Sequence, residues 1–149
     1  MLGGGRLARA KGLLLACFDR AAAQREEVAL VRFGGGRADV RFGPAVPRWW
    51  NERWIEPLGG GGGTPFGPAV ALAANLLARA RRRKPAQQRV LWVFGDGRSA
   101  AFPARPAYAD RVVVVDCGSR GAAAPTRGAQ LAHAWDADYL LPDDLAPAG

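Results

Sequence analysis

Two residues of this sequence have side chains and neighbours suited to binding a metal ion. Thr64 follows five consecutive glycines, and Asp96 lies between two glycines in the segment GDGR. A hydroxyl and a carboxylate are hard oxygen ligands, which suit magnesium because it binds few protein groups and retains several waters. Each residue also has a plain structural interpretation: Thr64 as the N-cap of a helix, and Asp96 as a turn residue.

Other kinds of catalytic or cofactor chemistry lack their usual residues. The single histidine, His133, lies among alanines in a predicted helix, where a surface or core position is more typical than catalysis. No nucleophile with a paired base is evident, and no Lys-Ser/Thr follows the glycines as in a Walker loop. Cys17 and Cys117 cannot form a disulfide framework or a zinc set, so we expect small core residues in a reducing compartment.

Composition indicates a single globular domain. The chain has 149 residues, of which 49% are hydrophobic and 23% charged. Its net charge of +8 comes from scattered basic residues, and the one dense run, residues 81–84, reads as the solvated end of a helix before Pro85. We therefore expect no nucleic-acid partner. The apolar segment GLLLACF is too short to cross a bilayer, so we expect a cytoplasmic protein without a membrane partner.

The elements that must position Thr64 and Asp96 alternate between helices and strands. Helical stripes cover residues 6–24, 66–80 and 126–135, and apolar strand patterns cover residues 28–33, 38–42, 89–94, 111–116 and 137–141. The order predicts an α/β fold with helices on both faces of a mostly parallel sheet and one antiparallel edge strand. Residues 28–33, 89–94 and 112–116 are the expected central parallel strands.

The strand ends bring the candidate residues to one place. In parallel sheets, binding sites form at the carboxyl ends of the strands, where Asp96 and Asp116 both fall. The glycine loop leads into a helix whose N-terminus can lie at the same edge. Thr64 and Asp96 are thus candidates for one site. Trp49, Trp50 and Trp54 lie elsewhere, either pinning a short helix to the core or forming an exposed patch for a partner protein.

The combination of these segments resembles a known family. GGGTPFGPAVALAANLL followed by VLWVFGDGRS is similar to the von Willebrand factor A domain, and specifically to the C-terminal domain of the D-type subunits of magnesium chelatase and of related cobaltochelatase subunits. The segments RLARAKGLLL, VALVRFGGGRADVRF, VVVVDCGS and GAQLAHAWDADYLLPDDL extend the resemblance over most of the chain. It implies a Rossmann-like three-layer sandwich over residues 1–145, followed by a tail, 146–149.

The resemblance also implies a metal-ion-dependent adhesion site. The family builds this site from an Asp-x-Ser-x-Ser motif, a threonine matched by Thr64 and an aspartate matched by Asp96. This sequence contains no Asp-x-Ser-x-Ser, and Gly95 stands where the family commonly has a small hydroxyl residue. We therefore expect magnesium to bind weakly, at millimolar affinity or worse, with Asp116 the first further ligand to test.

The family's first strand, which carries the missing motif, has no counterpart here. In the family this strand is central, so its absence would leave two rows of backbone donors and acceptors without partners. We expect Met1 to be an internal methionine taken as the start, or the gene to be truncated.

The function that the resemblance implies is assembly rather than catalysis. The chain would be a non-catalytic, metal-dependent interaction subunit of a magnesium or cobalt chelatase in tetrapyrrole (including cobalamin) biosynthesis. Its expected partners are an AAA+ ATPase subunit and the large tetrapyrrole-binding chelatase subunit, and no catalytic residues of its own are expected. The alternative is a generic von Willebrand A module that partners a MoxR-type ATPase in complex maturation.

Overall fold

The computed structural model describes residues 4–34, 37–47, 66–95, 102–116 and 126–141, and these form an α/β structure. Within them, helices and strands follow in the order α1 (Gly4–Gln24), β1 (Val28–Gly34), β2 (Arg37–Ala45), α2 (Phe66–Arg83), β3 (Val90–Gly95), β4 (Arg111–Asp116), α3 (Arg127–Ala134) and β5 (Asp138–Leu140). The strands form two sheets, one of two strands and one of three. None of the described helices is long and apolar enough to cross a membrane.

The three-stranded sheet is parallel, with β4 between β3 and β5. Its central strand is the sequence RVVVVD, whose β-branched side chains favour strand geometry. The four valines of β4 are at most 3% exposed, as expected for a strand covered on both faces. The predicted parallel pairing of segments 89–94 and 112–116 is confirmed.

The main core lies between this sheet and helices α2 and α3. Phe66 of α2 stacks on Trp135, the C-cap of α3, with ring centroids 5.8 Å apart. The indole of Trp135 donates a hydrogen bond to the Pro103 carbonyl at 2.9 Å, so its polar atom is satisfied. Burying each large apolar side chain contributes about 1.5–3 kcal/mol. The other buried members of this cluster are Val70, Ala109, Val112, Val114, Leu131 and Ala132.

The two-stranded sheet is the predicted antiparallel hairpin. Strands β1 and β2 pair with a register shift near Leu30. Gly43 has a φ of 75°, and a side chain there would collide with the Val28 carbonyl, so this irregularity requires glycine. On one side, Phe18 of α1 packs against Phe42 with ring centroids 6.5 Å apart. Helix α2 also contacts both strands of the hairpin.

One predicted strand position is wrong for the described residues. Segment 28–33 was expected among the central parallel strands, but β1 pairs only with β2, antiparallel, in a separate sheet. A strand can join a sheet only when a neighbour lies within hydrogen-bonding distance, about 4.8 Å away. No described strand joins β1 to β3.

Several other expectations can be compared with individual residues. Helix α2 ends at Arg83, before Pro85 as expected, and α3 has Thr126 as its N-cap. Cys17 is half-buried rather than a full core residue, and burial raises the pKa of its thiol while nearby Arg20 opposes the rise. Thr64 with its glycine loop, Asp96, Cys117, the segment containing the three clustered tryptophans and the tail lie outside the described residues.

Candidate functional site

The carboxyl end of the three-stranded sheet contains a buried carboxylate. Asp116 is the last residue of β4 and is only 3% exposed. The parallel register places Gly95, the last residue of β3, directly opposite it. Asp96, the proposed metal ligand, is next in sequence after Gly95. A buried carboxylate is unfavourable unless it is paired or hydrogen-bonded, so the partners of Asp116 determine what this position can do.

Two hydroxyl groups satisfy Asp116. Thr126 Oγ1 and Tyr139 OH each donate to Asp116 Oδ2 at 2.6 Å. Both distances lie at the short end of the range for O–H···O hydrogen bonds. The two hydroxyl oxygens lie 3.3 Å apart, so all three side chains meet at one point. They come from the loop before α3, from β4 and from β5, and the carboxylate therefore ties these elements together.

The hydroxyl of Thr126 also begins the helix. Its Oγ1 accepts a hydrogen bond from the Ala129 amide at 3.1 Å, which satisfies one of the amides at the start of α3. The same oxygen therefore donates to the strand end and accepts from the helix start. Because the helix N-terminus carries a partial positive charge, a carboxylate close to it is stabilised.

A glycine makes this close approach possible. Gly128 lies in the first turn of α3 and is buried. A Cβ atom added there would lie 2.7 Å from Asp116 Cγ and 2.8 Å from Asp116 Oδ2, closer than real Cβ contacts allow. Only glycine lets the helix sit against the carboxylate without displacement. Asp116, Thr126, Gly128 and Tyr139 are called the Asp116 cluster below.

Charged groups at the amino end of the same sheet are arranged differently. The Arg89 amide donates to Asp110 Oδ2 at 2.7 Å, and its guanidinium lies 3.6 Å from Asp110 Oδ1. Arg111 Nε donates to Asp138 Oδ2 at 2.6 Å. The side chains of Arg111 and Asp138 are 58% and 51% exposed, so water screens this pair; in the other pair Asp110 is 44% exposed but Arg89 only 11%.

The described residues do not form a magnesium site by themselves. Among them, no group of three or more His, Cys, Asp or Glu side chains could hold a metal ion. Asp116 was the first further ligand to test, but its Oδ2 receives two hydroxyl hydrogens, which a cation at that oxygen would have to displace. Asp116 thus fits a positioning role. Thr64 and Asp96 remain predictions, because neither lies in the described part of the chain.

Sequence analysis placed the members of the Asp116 cluster on separate elements but did not predict that they contact one another. Asp116 was placed at a strand end, Thr126 at a helix start and a tyrosine in the last strand. Sequence patterns do not give the directions of these side chains, so they could not predict that both hydroxyls donate to the same carboxylate oxygen. His133 is exposed on α3, and the hydrogen bonds of the Asp116 cluster described above do not involve it.

Two curated proteins are similar to part of this chain. The magnesium-chelatase 60 kDa subunit of Cereibacter sphaeroides is 39% identical over 82 residues, which are 54% of this chain and 15% of that protein. The magnesium-chelatase 60 kDa subunit of Rhodobacter capsulatus is 36% identical over 78 residues, which are 52% and 14% respectively. No protein-family model matches the chain. No solved structure matches it significantly. The similarity therefore spans about half of this chain and a small part of each relative.

Proposed function

We propose that this chain is a metal-dependent interaction module of a chelatase complex that inserts magnesium or cobalt into a tetrapyrrole. The observation that carries the proposal is the 36–39% identity to two magnesium-chelatase 60 kDa subunits over about half the chain. The relatives are much longer than the aligned part, so the role proposed here is that of one domain rather than of a whole subunit.

The proposed fold within this function is a von Willebrand factor A domain. The parallel order β3-β4-β5, the antiparallel hairpin and the helices packed on them support it. So does the position of the Asp116 cluster at the carboxyl end of the parallel strands, where α/β proteins form binding sites.

The proposed interaction uses a magnesium ion held at this end by Thr64 and Asp96. The ion would supply an open position for an acidic side chain of a partner, because magnesium combines few protein ligands with exchangeable waters. The Asp116 cluster would fix the end of β4 beside Gly95, the residue before Asp96. In this proposal ATP hydrolysis comes from an AAA+ partner in the cytoplasm, and the tetrapyrrole is bound by a large chelatase subunit.

A binding experiment with the neighbouring ATPase subunit tests this function. We expect Thr64→Ala combined with Asp96→Ala to weaken capture of that subunit in the presence of magnesium. Removing magnesium with EDTA should weaken capture by the unmodified chain to the same degree. Asp138→Ala is the matched control, because it removes an exposed carboxylate from the opposite end of the sheet.

The capture results for the two variants distinguish an interface at Thr64 and Asp96 from an interface elsewhere. Undiminished capture by the double variant, with circular dichroism unchanged, would place the interface elsewhere, and the segment containing Trp49, Trp50 and Trp54 would be the next region to alter. Equal loss in the Asp138 variant would indicate general damage to the surface and would contradict a role specific to Thr64 and Asp96.

A further inference from the structure

The end of helix α2 carries a dense group of positive charges. Four of the last five residues of this helix are arginines, namely Arg79, Arg81, Arg82 and Arg83. Lys84 follows directly, and all of these basic side chains are exposed. The sequence of α2 contains no acidic residue. These four arginines and Lys84 are called the α2 basic patch below.

The charge of the α2 basic patch exceeds what the end of a helix requires. A helix C-terminus carries only about half a negative charge, which a single cation offsets. Arg79 and Arg83 are four positions apart, so these like charges lie on one face of the helix and repel each other. Among the described residues, the ion pair at this patch joins Lys84 to Glu27 at 3.7 Å and does not involve the arginines. A bound anion would relieve the repulsion between them.

One arginine of the patch rests on an aromatic ring. The Arg81 guanidinium lies over the ring of Tyr108, 4.8 Å from its centroid. Arg89, whose side chain is only 11% exposed, donates to the Tyr108 carbonyl at 2.7 Å and to the Gln87 carbonyl at 3.0 Å. Stacking uses the face of a guanidinium and leaves its in-plane N–H groups free to bind a carboxylate. Arg81 is therefore partly ordered before any ligand binds, which lowers the entropy cost of binding.

An open depression continues this surface beyond the patch. It has a volume of about 350 Å³ and is lined by residues 85–89 and Asp110. Gln87 and Gln88 are exposed there, and their amide groups both donate and accept hydrogen bonds, as the backbone of a bound peptide requires. The depression begins at the residue after Lys84, so one extended ligand can contact both the patch and the depression.

We propose that the α2 basic patch binds an extended acidic polypeptide segment of a partner protein. Carboxylates of the segment pair with the arginines, and its backbone hydrogen-bonds to Gln87 and Gln88. The five residues 79–83 rise about 7.5 Å along the helix. Alternate side chains of an extended peptide point to one side and are about 6.6 Å apart, which matches this length. The surface lies at the amino end of the parallel sheet, opposite the Asp116 cluster, so the proposal does not depend on a metal site.

The same features favour a polypeptide over a nucleic acid. Sites for single-stranded nucleic acid extend over about 4–16 nucleotides and include aromatic rings on which bases stack. The α2 basic patch is much shorter than this. The exposed ring beside it, Tyr108, has one face covered by Arg81 and cannot stack on a base with that face.

Fluorescence anisotropy of a labelled peptide with the full 149-residue chain tests the proposal. The probe has about eight residues, with glutamate at alternate positions and serine between them. The ligand control has glutamine in place of each glutamate. One variant combines Arg79→Gln, Arg82→Gln and Arg83→Gln, and a second contains Arg83→Gln alone. Arg20→Gln is the matched control for the second variant, because Arg20 is an exposed arginine of α1.

We expect the glutamate peptide to bind at low salt and the triple variant to bind it about tenfold more weakly, with unchanged circular dichroism. Arg83→Gln alone should weaken binding about two- to fivefold, the usual contribution of one exposed ion pair. Arg20→Gln should leave binding unchanged. Backbone amide shifts caused by the peptide should fall within residues 79–89 and leave Gly95 and Asp116 unaffected, which separates this result from any outcome at the carboxyl end.

Four results would overturn the proposal. The first is no binding of the glutamate peptide at about 1 mM in low salt. The second is equally tight binding of the glutamine peptide. The third is equal weakening by Arg20→Gln and Arg83→Gln, which would show attraction to the net charge of the whole chain. The fourth is tighter binding of a single-stranded oligonucleotide of the same charge that is lost in the triple variant, which would identify a nucleic-acid surface instead.

Discussion

The two ends of the three-stranded sheet both carry aspartates, but the surroundings of these side chains differ. At the carboxyl end, Asp116 is buried and accepts two hydroxyl hydrogens on one oxygen. At the amino end, Asp110 and Asp138 are about half exposed and face arginines. A buried, hydrogen-bonded carboxylate affects folding far more when it is removed than an exposed ion pair does. The contrast predicts that the side chains at the carboxyl end contribute more to the free energy of unfolding than the ion pairs at the amino end.

The largest expected effect is from Asp116→Ala. The change leaves the hydroxyls of Thr126 and Tyr139 without their acceptor, and hydrogen bonds to a charged group contribute about 1.5–3 kcal/mol each. We therefore expect the free energy of unfolding to fall by about 3 kcal/mol in urea denaturation. Asp138→Ala, the control at the amino end, should cost less than about 1 kcal/mol. Equal losses in the two variants would remove the difference between the ends.

Two glycine-to-alanine substitutions should change the free energy of unfolding in opposite directions. Gly128→Ala places a methyl group against the Asp116 carboxylate, so α3 must move, and overpacking of this kind costs about 1–3 kcal/mol. Gly12 lies within α1 with nothing within 4 Å of its would-be Cβ. Gly12→Ala should therefore stabilise the chain by about 0.5–1 kcal/mol, the usual gain from alanine in a helix. Thermal unfolding of both variants measures the difference, and a neutral Gly128→Ala would mean that the helix does not depend on this close contact.

Two tyrosines allow a smaller and more closely matched comparison. Tyr139 and Tyr108 are 37% and 39% exposed, but Tyr139 donates to Asp116 whereas the ring of Tyr108 lies under the Arg81 guanidinium. Tyr139→Phe should cost about 1.5 kcal/mol by urea denaturation, the lower value for a hydrogen bond to a charged group. Tyr108→Phe retains its ring contact and should change the unfolding free energy by less than about 0.5 kcal/mol. If Tyr108→Phe lowered the unfolding free energy as much as Tyr139→Phe, the hydrogen bond from Tyr139 to Asp116 would not contribute more to stability than an exposed tyrosine hydroxyl.

The sequence predicted the strands of the parallel sheet because their signal is local. The β-branched run VVVV favours a strand covered on both faces, and the break to Asp116 marks its end. Helix α3 was similarly predictable from Thr126 and the apolar spacing after it. Both features depend on residues close together in the chain.

The Asp116 cluster and the separation of β1 from β3 depend on contacts between distant segments. Tyr139 lies 23 positions after Asp116 in the sequence. The hydrophobic periodicity of the sequence does not predict which acceptor the Tyr139 hydroxyl contacts. Strand β1 has the apolar composition of a central strand, yet composition alone does not say which neighbour it will find. Pairing is set by the strands within reach, and among the described strands β1 reaches only β2, so its expected parallel position is wrong for that part of the chain.

A magnesium titration followed by backbone amide chemical shifts tests the proposed role of the carboxyl end most directly. We expect shifts at Gly95, Asp116 and Thr126 that saturate in the millimolar range, with Arg89 and Asp110 at the amino end unchanged. The shifts should disappear in the Thr64→Ala, Asp96→Ala double variant. Shifts concentrated at the amino end, or none at either end at about 20 mM magnesium, well above the millimolar affinity expected, would contradict a metal-dependent site at the carboxyl ends of these strands.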